Sequence, residues 1–144
     1  MQTATEKDLL TCRTSKAVLK FMAVCSEERS ERPGFNAKTG LWVKLVREEF
    51  IELLDALDKA MQVADAIYYA EILDGVCDLV WVTIGLAHNM GLPFDEAFEE
   101  VRKTNMLKVD PITGRVARRE DGKILKPAGW LPPDILSLVK ERLK

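Results

Sequence analysis

The chain has 144 residues, 47% hydrophobic and 31% charged, with 8 Gly and 6 Pro. That composition fits one folded, helix-rich domain spanning residues 1–144 and excludes a disordered tail. With 21 Lys and Arg against 23 Asp and Glu, the net charge of -2 excludes nucleic acid as the principal partner, because a phosphate backbone demands a clear cationic excess.

The cysteines Cys12, Cys25 and Cys77 are widely spaced and form no CxxC pair. Neither a zinc cage nor a disulfide framework is expected, and reduced thiols point to a cytoplasmic protein. The N-terminus MQTATEKDLLTCRTSK places charges where a signal peptide needs its apolar core. The most apolar stretch, 79–87, is far shorter than the roughly 20 residues that span a bilayer, so no membrane partner is expected.

Apolar residues from Leu9 to Val24 recur at helical spacing and predict a first helix over about 6–28. Pro33, Gly34 and Gly40 mark a loop over 29–40. A second helix is predicted over about 41–60, with Trp42, Val43, Val46, Phe50, Leu53, Leu54 and Leu57 in one apolar sector. A third follows over about 65–89, closed by Asn89-Met90-Gly91, residues suited to a left-handed cap. After Pro93, the run FDEAFEEVRKTNM begins acidic and ends basic, as a helix dipole favours. Asp121-Gly122 between two short alternating runs predicts a small hairpin, and a last short helix is expected over about 134–143. The fold class is therefore all-α: a helical bundle of four main helices with a small C-terminal hairpin and a short terminal helix.

The third helix carries the most informative position. Asp78 is the sole charged residue between Asp74 and Asp95 if His88 is neutral. In so apolar a helix it is expected to be buried, where an unpaired carboxylate costs several kcal/mol. Glu71, Asp74 and Asp78 stand at i, i+3 and i+7, on one side of the helix, with no Lys or Arg between Lys59 and Arg102. The second helix offers Glu48, Glu49 and Glu52 at i, i+1 and i+4, on a border of its apolar stripe. Antiparallel packing of the two helices at about 8–10 Å lets both ridges share a divalent cation, and carboxylate oxygens suit magnesium, with manganese as a substitute. His88, the single histidine, sits near a helix end and is expected to pack or cap; no GxxxxGK[ST] loop is present.

The segments REEFIELLDAL and AEILDGVCDLVWVTIGLA resemble the EExxE helix and the following acidic-then-apolar helix of the all-α nucleoside triphosphate pyrophosphatases. This superfamily includes MazG, the dimeric dUTPases and phosphoribosyl-ATP pyrophosphohydrolase. Downstream, EVRKTNMLK and REDGKILKPAGWLPPDI resemble segments of the phosphoribosyl-ATP pyrophosphohydrolase-like branch, although Arg102 stands where that branch often has His and Leu107 where it often has Ser. The resemblance covers about 41–135.

It implies cleavage of a nucleoside triphosphate between the α and β phosphates, with metal on Glu49, Glu52 and Asp78, helped by Glu71 and Asp74, and with Glu48 as the base. It further implies catalytic helices over about 41–60 and 65–89 and a substrate-closing segment over about 103–135. In that segment Asn105 would bind sugar or phosphate, and Lys103, Lys108 and Lys126 would neutralise phosphate. Self-association as a homodimer or dimer of dimers is expected, since one apolar helix face is left for a second copy. Phosphoribosyl-ATP hydrolysis, and a non-catalytic metal-binding helical dimer, are the alternative readings.

Overall fold

The computed structural model describes residues 13–27 and 29–144. Among these residues are five helices, α1 (Arg13–Val24), α2 (Thr39–Gln62), α3 (Ala66–Asn89), α4 (Phe94–Met106) and α5 (Ile135–Leu143). The fold is all-α, as expected, and among the described residues the sole β pairing is two isolated antiparallel bridges. The part of the predicted first helix before residue 13, and Cys12, lie outside the described residues. The chain divides into two compact units, one within Cys12–Leu92 and one built on Pro93–Lys144. No described helix is long and apolar enough to cross a membrane.

The first unit is organised by α2 and α3, which pack antiparallel. The register is fixed where glycine lets the helices approach closely. A Cβ on Gly85 would lie 2.1 Å from Trp42 Cζ3, and one on Gly75 would lie 3.2 Å from the Leu53 Cα. Asp65 starts α3 by accepting the Ile67 N–H at 3.0 Å, satisfying one of the orphan donors of the first turn. The chain leaves α3 through Gly91 at φ +70, with the Arg32 carbonyl so close (2.4 Å from a notional Cβ) that no side chain fits there.

Polar contacts bind the far end of this hairpin to the preceding chain. Thr39 Oγ1 donates to Asn89 Oδ1 at 2.9 Å, and Asn36 Nδ2 donates to the Asn89 carbonyl at 2.8 Å. Fully buried His88 meets Ser15 Oγ at 2.7 Å, joining α3 to α1. Its packing role is thus as expected. Val18 and Met22 of α1 are buried with Trp42, Ala56, Val82 and Ile84, and Phe21 stands edge-on to Trp81 at 5.6 Å.

The apolar sector of α2 departs from expectation. Within it only Trp42 is buried; Phe50, Leu54 and Leu57 are 50%, 44% and 38% exposed, and Leu73, Val76 and Val80 of α3 are exposed as well. Helical spacing identifies a face that seeks apolar cover without saying which chain supplies it.

In the second unit α4 carries Asp95 and Glu96 in its first turn and Lys103 in its last, complementing its dipole. The chain then makes two tight reversals, bridged at Val109 with Val116 and at Arg118 with Ile124. The second is the expected Asp121-Gly122 hairpin, with Gly122 at φ +84, reduced to a single bridge. Trp130 Nε1 donates to the Thr104 carbonyl at 2.8 Å, fixing the loop before α5 to the end of α4. Asp134 caps α5 by accepting the Ser137 N–H at 3.1 Å.

Candidate active site

Side chains three, four and seven residues apart on a helix share one face. Applied to α2, this places Glu52, Asp55, Ala56 and Lys59 on a common ridge; applied to α3, it groups Glu71, Asp74, Gly75 and Asp78. These eight residues line one open cleft of about 320 Å³ between the two helices. Gly75 belongs to this wall, and its close approach to Leu53 brings the opposing ridges together.

Four sequence-chosen residues, Glu52, Glu71, Asp74 and Asp78, therefore line the same cleft. Glu49, one turn before Glu52, is half-buried beside them. Burial pushes its carboxyl above the ordinary range, and the negative charges of Asp78, Glu52, Glu48 and Asp74 push it further. Glu48 turns elsewhere: its carboxylate is exposed and stands 3.5 Å from Lys44 Nζ.

The structure corrects the expected burial of Asp78, which is exposed in the chain. It projects into the open cleft, so water provides the compensation that burial would have withheld. Two lining residues escaped sequence reasoning, Asp55 and Lys59. Lys59 Nζ lies 3.6 Å from Glu71 Oε2, across the helix pair. Lys59 is the only cation lining the cleft among the described residues. Their spacing from Glu52, at i+3 and i+7, was the available signal.

The donors are carboxylate oxygens, the hard ligands that suit magnesium or manganese. The excess of negative charge felt by Glu49 is what a divalent cation would relieve. Among the described residues, however, no three such side chains converge on one point that holds a metal ion. Glu48 is held at Lys44 and Glu71 at Lys59. The residues fit the ion in the chemistry of their donors and in lining one cleft.

In the second unit, Lys108 Nζ donates to Asn105 Oδ1 at 2.7 Å, and Lys108 and Lys126 stand over the Trp130 ring at 5.3 and 4.4 Å. Asn105, Lys108 and Lys126 are thus gathered around one indole. Lys103 is not among them, because its ammonium is engaged by Glu100 at 3.2 Å.

The sequence model of the family described as phosphoribosyl-ATP pyrophosphohydrolase matches residues 18–105. No curated protein matches the chain significantly. The family match covers more than half of the chain, including every carboxylate of the cleft and Asn105. The chain belongs to the phosphoribosyl-ATP pyrophosphohydrolase family, within the all-α MazG-like nucleoside triphosphate pyrophosphatases, and is a pyrophosphohydrolase acting on phosphorus anhydrides.

Proposed function

We propose that the protein is a magnesium-dependent nucleoside triphosphate pyrophosphohydrolase, converting a (d)NTP and water to the (d)NMP and diphosphate in nucleotide-pool control or monophosphate supply. The observation that carries this reading is the concentration of Glu52, Glu71, Asp74 and Asp78 in one cleft, with Glu49 beside it under their field. Glu49, Glu52, Glu71, Asp74 and Asp78 would hold the cation, which when bound supplies charge neutralisation and acidifies a water.

Glu48 is the proposed proton acceptor: with Glu49 assigned to the cation, it is the neighbouring carboxylate left free of the metal, and its exposed pairing with Lys44 at 3.5 Å is weak enough to be given up. The water oxygen bonds to the α phosphorus, one of its protons passes to Glu48, and the bond from the α phosphorus to the bridging oxygen breaks. Diphosphate leaves with the electron pair. Asn105, Lys108 and Lys126 are proposed to bind the substrate. Lys103 is a weaker member of that set, being paired with Glu100.

A second reading, phosphoribosyl-ATP as substrate, is favoured by the family match and uses the same bond cleavage. The test is a screen of the purified chain with magnesium against the common NTPs and dNTPs and phosphoribosyl-ATP, reading diphosphate release. Turnover of a (d)NTP supports the first reading; turnover of phosphoribosyl-ATP alone supports the second. No turnover together with a magnesium-dependent rise in thermal stability supports the non-catalytic metal-binding dimer instead.

The exposed stripe of Phe50, Leu54 and Leu57 on α2, with Leu73, Val76 and Val80 on α3, supports self-association as a homodimer or dimer of dimers. Sedimentation of the purified chain tests this, and a monomer at micromolar concentration would refute it.

A further inference from the structure

The chain is acidic overall, and many of its cations are spent on neighbouring carboxylates. Arg102 pairs with Glu99, Lys103 with Glu100, Arg119 with Asp121 and Arg142 with Glu96. Other cations of the Pro93–Lys144 unit stand without such a partner among the described residues, and three of them share one place. Lys108, Arg115 and Lys126 line a single cleft of about 340 Å³, and none of the three has a carboxylate partner among the described residues.

The chain's local folding brings them together. The first reversal after α4 closes through Asp110 N–H donating to the Arg115 carbonyl at 2.8 Å, which sets Arg115 opposite the end of α4. Lys126 arrives from the far side of the second reversal, where Leu125 N–H donates to the Ala117 carbonyl at 2.8 Å. Both lysines are held at the Trp130 ring. The one carboxylate in the cleft wall, Asp110, is already engaged: its Oδ1 accepts the Ile112 and Thr113 N–H groups at 2.9 and 2.7 Å and the Thr113 hydroxyl at 3.0 Å. The remaining wall includes Leu125 and Pro127, which give the open cleft an apolar side.

We infer that Lys108, Arg115 and Lys126 form an oligophosphate-binding cleft, with Arg115 a recognition residue for which no role follows from the sequence. Three cations set around a space for on the order of ten waters match a small ligand carrying several negative charges. A planar guanidinium beside two ammonium groups grips non-bridging phosphate oxygens in a fork and as point charges. A nucleic-acid strand is a poor fit, since the cleft is local and Arg119 beyond it is tied to Asp121.

The oligophosphate has two possible sources, the substrate's own phosphate tail or a separate effector. The inference rests on the proposed function in so far as Lys108 and Lys126 are assigned there to the substrate; the addition is Arg115, and oligophosphate binding as such needs no turnover. The experiment is calorimetric titration of inorganic tripolyphosphate into the full chain without divalent metal, for the wild type and for Arg115→Met, Lys108→Met, Lys126→Met and, as a control, Lys20→Met on α1.

The expected result is one binding site, weakened about tenfold by each cleft substitution, which corresponds to about 1.4 kcal/mol. Lys20→Met should bind as the wild type does, and Arg115→Lys should recover part of the affinity. No binding to the wild type, or equal binding by folded Arg115→Met, overturns the inference. Because no metal or turnover is involved, this result stands or falls apart from the enzymatic reading. A raised KM with unchanged kcat in Arg115→Met then assigns the cleft to substrate, and an unchanged KM assigns it to an effector.

Discussion

Lys59 Nζ stands 3.6 Å from Glu71 Oε2, an ion pair that joins α2 to α3 inside an otherwise acidic cleft. The pair is largely exposed, so Lys59→Met is expected to change the stability of the metal-free chain by less than about 1 kcal/mol. The same substitution removes the cleft's own cation and leaves Glu71 to an external one. Thermal melts with and without magnesium should therefore show a larger magnesium-induced rise in Lys59→Met than in the wild type. A smaller rise would mean that Lys59 supports the metal site and does not compete with it.

The close approach of α2 and α3 depends on glycine at two levels. Gly85→Ala would drive a methyl group into the Trp42 ring, whose nearest atom lies at 2.1 Å. Denaturant unfolding should report a loss of about 1–3 kcal/mol. Gly34→Ala, with nothing within 4 Å of the new methyl, is the matched comparison and should change stability far less. Equal effects at the two positions would show that the Trp42 contact does not set the packing.

Asp78 contributes to the field that raises Glu49, and it lines the cleft. Asp78→Asn is expected to lower kcat/KM about a hundredfold or more, the scale of one electrostatic group at a reacting centre. Magnesium binding should weaken in parallel. Since Asp78 is exposed, stability should move by no more than about 0.5 kcal/mol. Full turnover in the variant would remove Asp78 from the site.

All five helices were legible from the chain, since apolar spacing and turn residues are local signals. Asp65 and Gly91, which bound α3, act on their immediate neighbours. What depends on register between distant segments was not legible. Lys59 meets Glu71 because Leu53 faces Gly75, a pairing that no periodicity within one helix specifies. The burial assigned to Asp78 failed for a related reason: an apolar helix face predicts that something covers it, and among the described residues Val76 and Val80 remain exposed. Lys103 is a different case. Its pairing with Glu100, three residues earlier, follows from helical geometry and is a local signal.

Asp110 gives the second unit a pH-sensitive turn. The Thr113 N–H, then the Thr113 hydroxyl and the Ile112 N–H, hold its carboxyl below the ordinary 3.8. A depressed folded value means that the stabilisation is fully present above about 3.8 and is lost as the pH falls through the folded value. Hydrogen exchange at the Thr113 amide should accelerate below that point beyond the intrinsic trend, and Asp110→Asn should abolish the pH-dependent component. An amide that follows the intrinsic trend throughout would show that the ionised carboxylate does not hold the turn.

The central claim is that the carboxylate cleft directs water to the α phosphorus of a nucleoside triphosphate. It is tested most directly by turnover in ¹⁸O-labelled water with magnesium, followed by mass analysis of both products. The account predicts one labelled oxygen in the nucleoside monophosphate and none in the diphosphate. Label in the diphosphate, or release of single phosphate with a nucleoside diphosphate, would contradict it.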